Sequence, residues 1–241
     1  MAGKISENII RVNDRIRSAA RKSGRGPDEI TLVAVTKTVE PKKIKEALNC
    51  GLRLFGENYV QEAEEKIKKI KDKNLRWHFI GHLQKNKAKD AAGLFDLIES
   101  VDSAGLAAEI NKRAEKPMDV LIEVNVAGEG SKTGVGIDGA VELARTISGM
   151  KHLRLKGLMT IPPYNENPEL SRPYFVTLRR IAERINKERL PGVFMRELSM
   201  GMSNDYEVAI EEGATIVRIG TAIFGPREAK TAKKPDKTAN S

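Results

Sequence analysis

The stretch "TLVAVTKTVEPKKIKEALNCG", residues 31–51, decides the fold. Its first seven residues, "TLVAVTK", are mostly apolar and β-branched, the composition of a strand covered on both faces. Pro41 then opens a helical segment and Gly51 closes it. Proline presets the φ of a first helical turn, and glycine accepts the turn that follows the last. Strand and helix together make one βα unit.

The unit recurs along the chain. "LRLFGEN" (52–58) precedes "YVQEAEEKIKKI", "RWHFIGH" (76–82) precedes "LQKNKAKDAAG", and "FDLIESVD" (95–102) precedes "SAGLAAEINKRAEK". "DVLIEVNV" (119–126) leads through "AGEGSKTGVG" (127–136), read as a flexible loop, to "DGAVELARTISGM". "LRLKGLMT" (153–160) leads to a long helix over 171–188, and "RELSM" (196–200) leads to "SNDYEVAIEEG". "TIVRIGTAIFG" (215–225) ends the folded part as the eighth strand. Alternating strands and helices predict a parallel sheet. Eight strands, each but the last followed by a helix, predict a single (β/α)8 TIM barrel with an extra N-terminal helix; an open doubly wound sheet is the runner-up. Residues 1–228 read as the barrel domain and 229–241 as a basic flexible tail.

The chain has 241 residues, of which 40% are hydrophobic and 31% charged, enough for a real core in a soluble protein. Its one cysteine, Cys50, precludes an internal disulfide and fits a reducing cytoplasm; beside Gly51 it reads as a packed small residue. No apolar run approaches bilayer length, and the N-terminus is a charged amphipathic helix without a signal peptide's apolar segment. The net charge of +9 permits an anionic partner, but the basic runs at 66–73, 85–89 and 230–237 carry no interleaved aromatics and read as solvated helix faces and tail. Nucleic-acid binding is not expected.

A barrel gathers its chemistry at the C-terminal ends of its strands. Lys37 stands at such an end. Ser203 and Asn204 lie between the seventh strand and its helix, and Gly220 and Thr221 lie just past the eighth strand, where barrels of this kind bind phosphate. Arg218, within the apolar "TIVRIG", must find an acceptor or face a polar barrel mouth. His78 and His82, four apart on one strand, have no neighbouring ligand set, so a metal site is not expected. A lysine in a partly desolvated pocket attacks carbonyls as a neutral amine. Two chemistries fit this set: a lysine aldolase acting on a sugar phosphate, and a protein holding pyridoxal 5′-phosphate (PLP). An arginine placed for a pyridine nitrogen favours PLP.

The stretches "VAVTKT", "FGENYVQEA", "WHFIGHLQKNK", "GLMTI", "ELSMGMSNDYEVAI" and "VRIGTAIFG", in this order, resemble the PLP homeostasis protein family (YggS/PROSC type) across residues 5–228. The resemblance implies the barrel of the alanine racemase N-terminal domain. It implies a Schiff base between Lys37 and PLP, a phosphate held by Ser203, Gly220 and Thr221, and Arg218 facing the pyridine nitrogen. Asn58, Tyr59 and His82 match family motifs at the barrel mouth and are further cofactor-site candidates. It also implies a cytoplasmic, monomeric protein that stores PLP or delivers it to apo PLP-dependent enzymes, without robust catalysis. A racemase needs a second acid/base on the opposite face of PLP, supplied by a further β-domain; here little chain follows the eighth strand. Weak racemase activity, or other PLP-dependent amino-acid chemistry, is the alternative.

Overall fold

The structure, a computed structural model, describes residues 3–130 and 132–226; the expected tail at 229–241 lies outside the described residues. A long helix, α1 (Lys4–Lys22), comes first. Four units follow: β1 (Thr31–Val35) with α2 (Pro41–Asn49), β2 (Leu54–Glu57) with α3 (Val60–Ile70), β3 (Arg76–Phe79) with α4 (Ala88–Leu94), and β4 (Leu97–Val101) with α5 (Ala104–Arg113). The next four are β5 (Met118–Glu123) with α6 (Ile137–Ser148), β6 (Leu153–Met159) with α7 (Arg172–Lys187), β7 (Glu197–Ser199) with α8 (Tyr206–Glu211), and β8 (Ile216–Ile219) with α9 (Thr221–Phe224). Each strand pairs in parallel with the next, and β8 closes on β1 with Thr31 opposite Ile216 and Ala34 opposite Ile219. The closed barrel is the expected architecture, and closure excludes the open sheet.

Strand alternation sorts side chains between two cores. Val33, Leu54, Leu97, Leu121, Met159 and Ile216 cluster inside the barrel. Ala34, Phe55, Trp77, Phe79, Ile98, Val120 and Ile122 face the surrounding helices. Phe55 and Trp77 pack there with ring centroids 5.3 Å apart.

Helix α1 completes the outer layer. Its buried Ile5, Ile9, Val12 and Ile16 pack it against α8, α9 and α2, and Asn8 Nδ2 donates to Ile223 O at 2.8 Å. A four-residue α9 is too short to cover the seam between β8 and β1, so α1 takes that place. Each of those aliphatic side chains contributes on the order of 2 kcal/mol by leaving water.

Three expectations need correction. The run 215–225 is not one strand: β8 stops at Ile219, Gly220 caps α9, and the eighth strand is therefore followed by a helix too. Cys50 is exposed at the end of α2 rather than packed. In the loop after β5, Asn125 N–H donates to Val135 O, Val135 N–H to Glu123 O (both 2.9 Å), and Thr133 Oγ1 to Glu123 Oε1 (2.6 Å). Lys66, within the basic run 66–73, is 5% exposed; its neighbours Lys68 and Lys69 do form surface pairs with Glu64 and Glu65.

Candidate functional site

The strands end earlier than their apolar runs, and the residues just beyond them turn into the loops of the barrel's C-terminal face. Lys37 is the second residue past β1, half-buried, and lines a cavity of about 230 Å³. Its backbone is bracketed on both sides. Before it, Thr36 Oγ1 donates to Glu57 Oε1 at 2.6 Å, and Thr36 O accepts from Lys66 Nζ at 2.5 Å. After it, Thr38 adopts a left-handed φ of 62°, with its N–H donating to Glu62 Oε1 at 2.6 Å. Lys66 Nζ ties both sides together, donating also to Glu57 Oε1 and Glu62 Oε1 at 2.7 Å each. Burial pushes the Glu57 carboxyl above the usual range, against the nearby charge of Lys66.

Across the cavity stands Arg218, 3% exposed. Its Nη1 donates to Ser199 Oγ at 2.6 Å and its Nη2 to Thr160 O at 2.8 Å. Ser199 Oγ in turn donates to Glu99 Oε2 at 2.5 Å, and Glu99 Oε1 lies 2.6 Å from His78 Nδ1. Burial would raise the Glu99 carboxyl, but the hydrogen bond and charge of His78, with Arg218 and Ser199, hold it below the usual range. Burial lowers the Arg218 guanidinium from its ordinary value, and the carboxylates Glu99, Glu123 and Asp205 oppose that shift. The arginine both pairs within the barrel and lines the cavity.

The third wall is made by the loop after β7 and the start of α9. Ser203, Gly220 and Thr221 line the cavity, and Ser203 Oγ accepts from Ala222 N–H at 3.2 Å. A Cβ on Gly220 would lie 3.3 Å from Val35 O, so the missing side chain lets this backbone sit tight against the end of β1. Hydroxyls and backbone N–H groups in such a loop accept an anion. Ile80, Ile161 and Met202 supply apolar surface, and Tyr164 stands on the rim, 76% exposed.

Six expected residues thus share one cavity: Lys37, Asn58, Ser203, Arg218, Gly220 and Thr221. Tyr59 and His82 do not. They line an adjacent cavity of about 460 Å³ with Gln61, Gln84 and Lys87, and Asn58 borders both. His82 lies beyond the end of β3 rather than on it, with Nδ1 3.4 Å from Asp102 Oδ2. Among the described residues no group of three or more His, Cys, Asp or Glu is placed to hold a metal ion. Sequence reasoning missed Lys66, Glu57, Glu99 and Ser199. The available signal was a carboxylate inside each of the apolar runs "LRLFGEN" and "FDLIESVD", since a charge buried there must have a partner.

The donor set suits an aromatic aldehyde phosphate. It offers an amine, a guanidinium across from it, an anion cradle, an apolar wall, and a buried Asn58 Oδ1 with no hydrogen-bond partner among the described residues. Comparison with known proteins converges on that chemistry. A family model described as alanine racemase, N-terminal domain, matches residues 9–228. The pyridoxal phosphate homeostasis protein of Aquifex aeolicus is 50% identical over 225 residues, covering 92% of this chain and 98% of the relative. That of Escherichia coli K12 is 42% identical over 234 residues, covering 93% and 97%. PipY of Synechococcus elongatus PCC7942, solved with PLP bound, superposes with a TM-score of 0.80 at 32% identity, covering 92% of this chain and all of PipY (100%). Alanine racemase of Corynebacterium glutamicum, at 15% identity and a TM-score of 0.68, shares the fold. The chain belongs to the pyridoxal phosphate homeostasis protein family, built on the alanine racemase N-terminal-domain barrel.

Proposed function

We propose that this protein binds PLP through a Schiff base on Lys37 and serves its intracellular storage and delivery to apo PLP-dependent enzymes, without robust catalysis of its own. The observation that carries this reading is the convergence of Lys37, Arg218 and the Ser203–Gly220–Thr221 cradle on one cavity. When bound, PLP supplies an electrophilic aldehyde and an electron-withdrawing ring. Lys37 would present its amine to that aldehyde, the condensation that forms a Schiff base and releases water. Ser203 and Thr221 hydroxyls, with the backbone beside Gly220, would hold the phosphate. Arg218 would face the pyridine nitrogen, where a guanidinium would disfavour ring protonation and limit the ring as an electron sink.

Support for binding without turnover comes from the open rim. Tyr164 is 76% exposed, and Asp205 is taken up by Met202 N–H at 2.7 Å. Tyr164 stands in water, and Asp205, although buried, is held as an acceptor by that N–H, so neither is a free, desolvated proton donor of the kind that a racemisation step requires. The test is to load the purified protein with PLP, record its visible absorbance, and assay amino-acid turnover and transfer to an apo-enzyme. A visible imine band, transfer, and negligible turnover are expected. Robust turnover abolished by Lys37→Ala contradicts the carrier reading, and absence of the band contradicts PLP binding.

A further inference from the structure

Hydrogen-bonded groups run through the barrel from its N-terminal end to the Lys37 cavity. His78 lines a second cavity, of about 210 Å³, with Arg76, Asp96, Asp119, Lys156 and Glu197, all near the N-terminal ends of strands. From there His78 Nδ1 meets Glu99 Oε1 at 2.6 Å, Ser199 Oγ meets Glu99 Oε2 at 2.5 Å, and Arg218 Nη1 meets Ser199 Oγ at 2.6 Å. Arg218 is the far end and lines the cofactor cavity. Glu99 is fully buried, His78 is 7% exposed and Arg218 3% exposed, so water screens these contacts weakly.

Resting on the PLP reading of that cavity, we infer that His78 is a pH-sensing positioning residue: its protonation at the far end of the barrel tightens PLP binding through Glu99, Ser199 and Arg218. With His78 neutral, its Nδ1–H donates to Glu99, and the Glu99 carboxylate offsets the Arg218 charge across 3.9 Å. Protonation of the second ring nitrogen adds a positive charge against Glu99. The carboxylate then offsets Arg218 less, and the cavity becomes more attractive to an anionic cofactor. Histidine is the side chain whose ordinary titration falls in the neutral range. The other charges facing His78 are the cations Arg76 and Lys156, which line the same cavity, and three carboxylates that are each engaged. Asp119 pairs with Arg154 at 2.5 Å, Glu197 accepts from Thr215 Oγ1 at 2.7 Å, and Asp96 accepts from Trp77 N–H at 2.7 Å.

The experiment compares PLP dissociation constants of the wild type and His78→Gln between about pH 5 and pH 8. The phosphate's own ionisation near pH 6 and the titration of Lys37 act on both proteins, so the ratio of the two constants isolates His78. The ratio of variant to wild type rises about fivefold toward acid pH, a typical coupling between linked sites. A flat ratio overturns the inference. Nuclear magnetic resonance supplies a second reading on the unaltered protein, which has only 3 histidines. By reciprocity, PLP raises the His78 pKa; an unchanged His78 pKa in protein that does show the imine band overturns the proposal while leaving the cofactor reading intact. Wild-type protein that takes up no PLP overturns both.

Discussion

Lys66 holds Lys37 in place from a helix nearly thirty residues downstream, through Thr36 O, Glu57 and Glu62. Removing its charge strands a fully buried Glu57, whose Oε2 already lacks a hydrogen-bond partner. Lys66→Met is therefore expected to destabilise the fold by about 3 kcal/mol in denaturant titrations. It also loosens the position of Lys37, and PLP affinity is expected to fall about tenfold, equivalent to about 1.4 kcal/mol. Unchanged affinity in folded Lys66→Met would show that the bracket is structural only. Gly81, just past the neighbouring strand β3, acts on the adjacent stretch of the mouth: a Cβ there would lie 2.3 Å from Asn58 O. Gly81→Ala must push Asn58 out of its place at the cavity, and a PLP titration is expected to report weaker binding.

Among the helices, α1 and α8 illustrate how the outer layer is closed. Ile9 of α1 is 3% exposed, and Ile9→Ala is expected to cost about 3 kcal/mol through lost burial and a residual void, read by chemical denaturation. A surface clasp adds to this contact. Glu211 of α8 accepts from Lys22 at 2.6 Å and from Arg172 at 2.7 Å, while Arg172 reaches Glu212 at 2.7 Å. The hydrogen bonds from Lys22 and then Arg172 hold the Glu211 carboxyl below its usual range. A depressed carboxylate stabilises the fold above its unfolded-state pKa, and that contribution is lost as pH falls through the folded-state value. Thermal unfolding at mildly acidic pH and below is expected to show a falling Tm. Arg172→Ala is expected to flatten that fall and to cost about 1 kcal/mol at neutral pH. Glu57 and Glu123 act with the opposite sign. Burial raises both, so their contribution is present below the unfolded pKa and is lost as pH rises through the raised values.

At the scale of the whole molecule, the barrel was legible because its signals are local. Apolar β-branched runs, Pro41 at a helix start and Gly51 at a helix end each act within a few residues. Closure then places every strand's C-terminal end on one face, which is why Lys37, Ser203, Arg218, Gly220 and Thr221 were readable as neighbours despite their separation along the chain. What was not legible depends on tertiary contact. Nothing in "KIKKIKDK" distinguishes Lys66 from Lys68 or Lys69 until α3 packs against the ends of β1 and β2. The path from His78 to Arg218 joins four strands that only the closed barrel aligns. Tyr59 and His82 follow matching motifs yet turn into the adjacent cavity because β2 and β3 end before them. No helix among the described residues is long and apolar enough to cross a membrane, and we propose a monomeric protein, which sedimentation will check. The central claim is that Lys37 holds the cofactor covalently. Reducing the PLP-loaded protein with borohydride and mapping its peptides tests this most directly: the account predicts a pyridoxyl group on Lys37 that disappears in Lys37→Ala, and a label on any other lysine, or none, would contradict it.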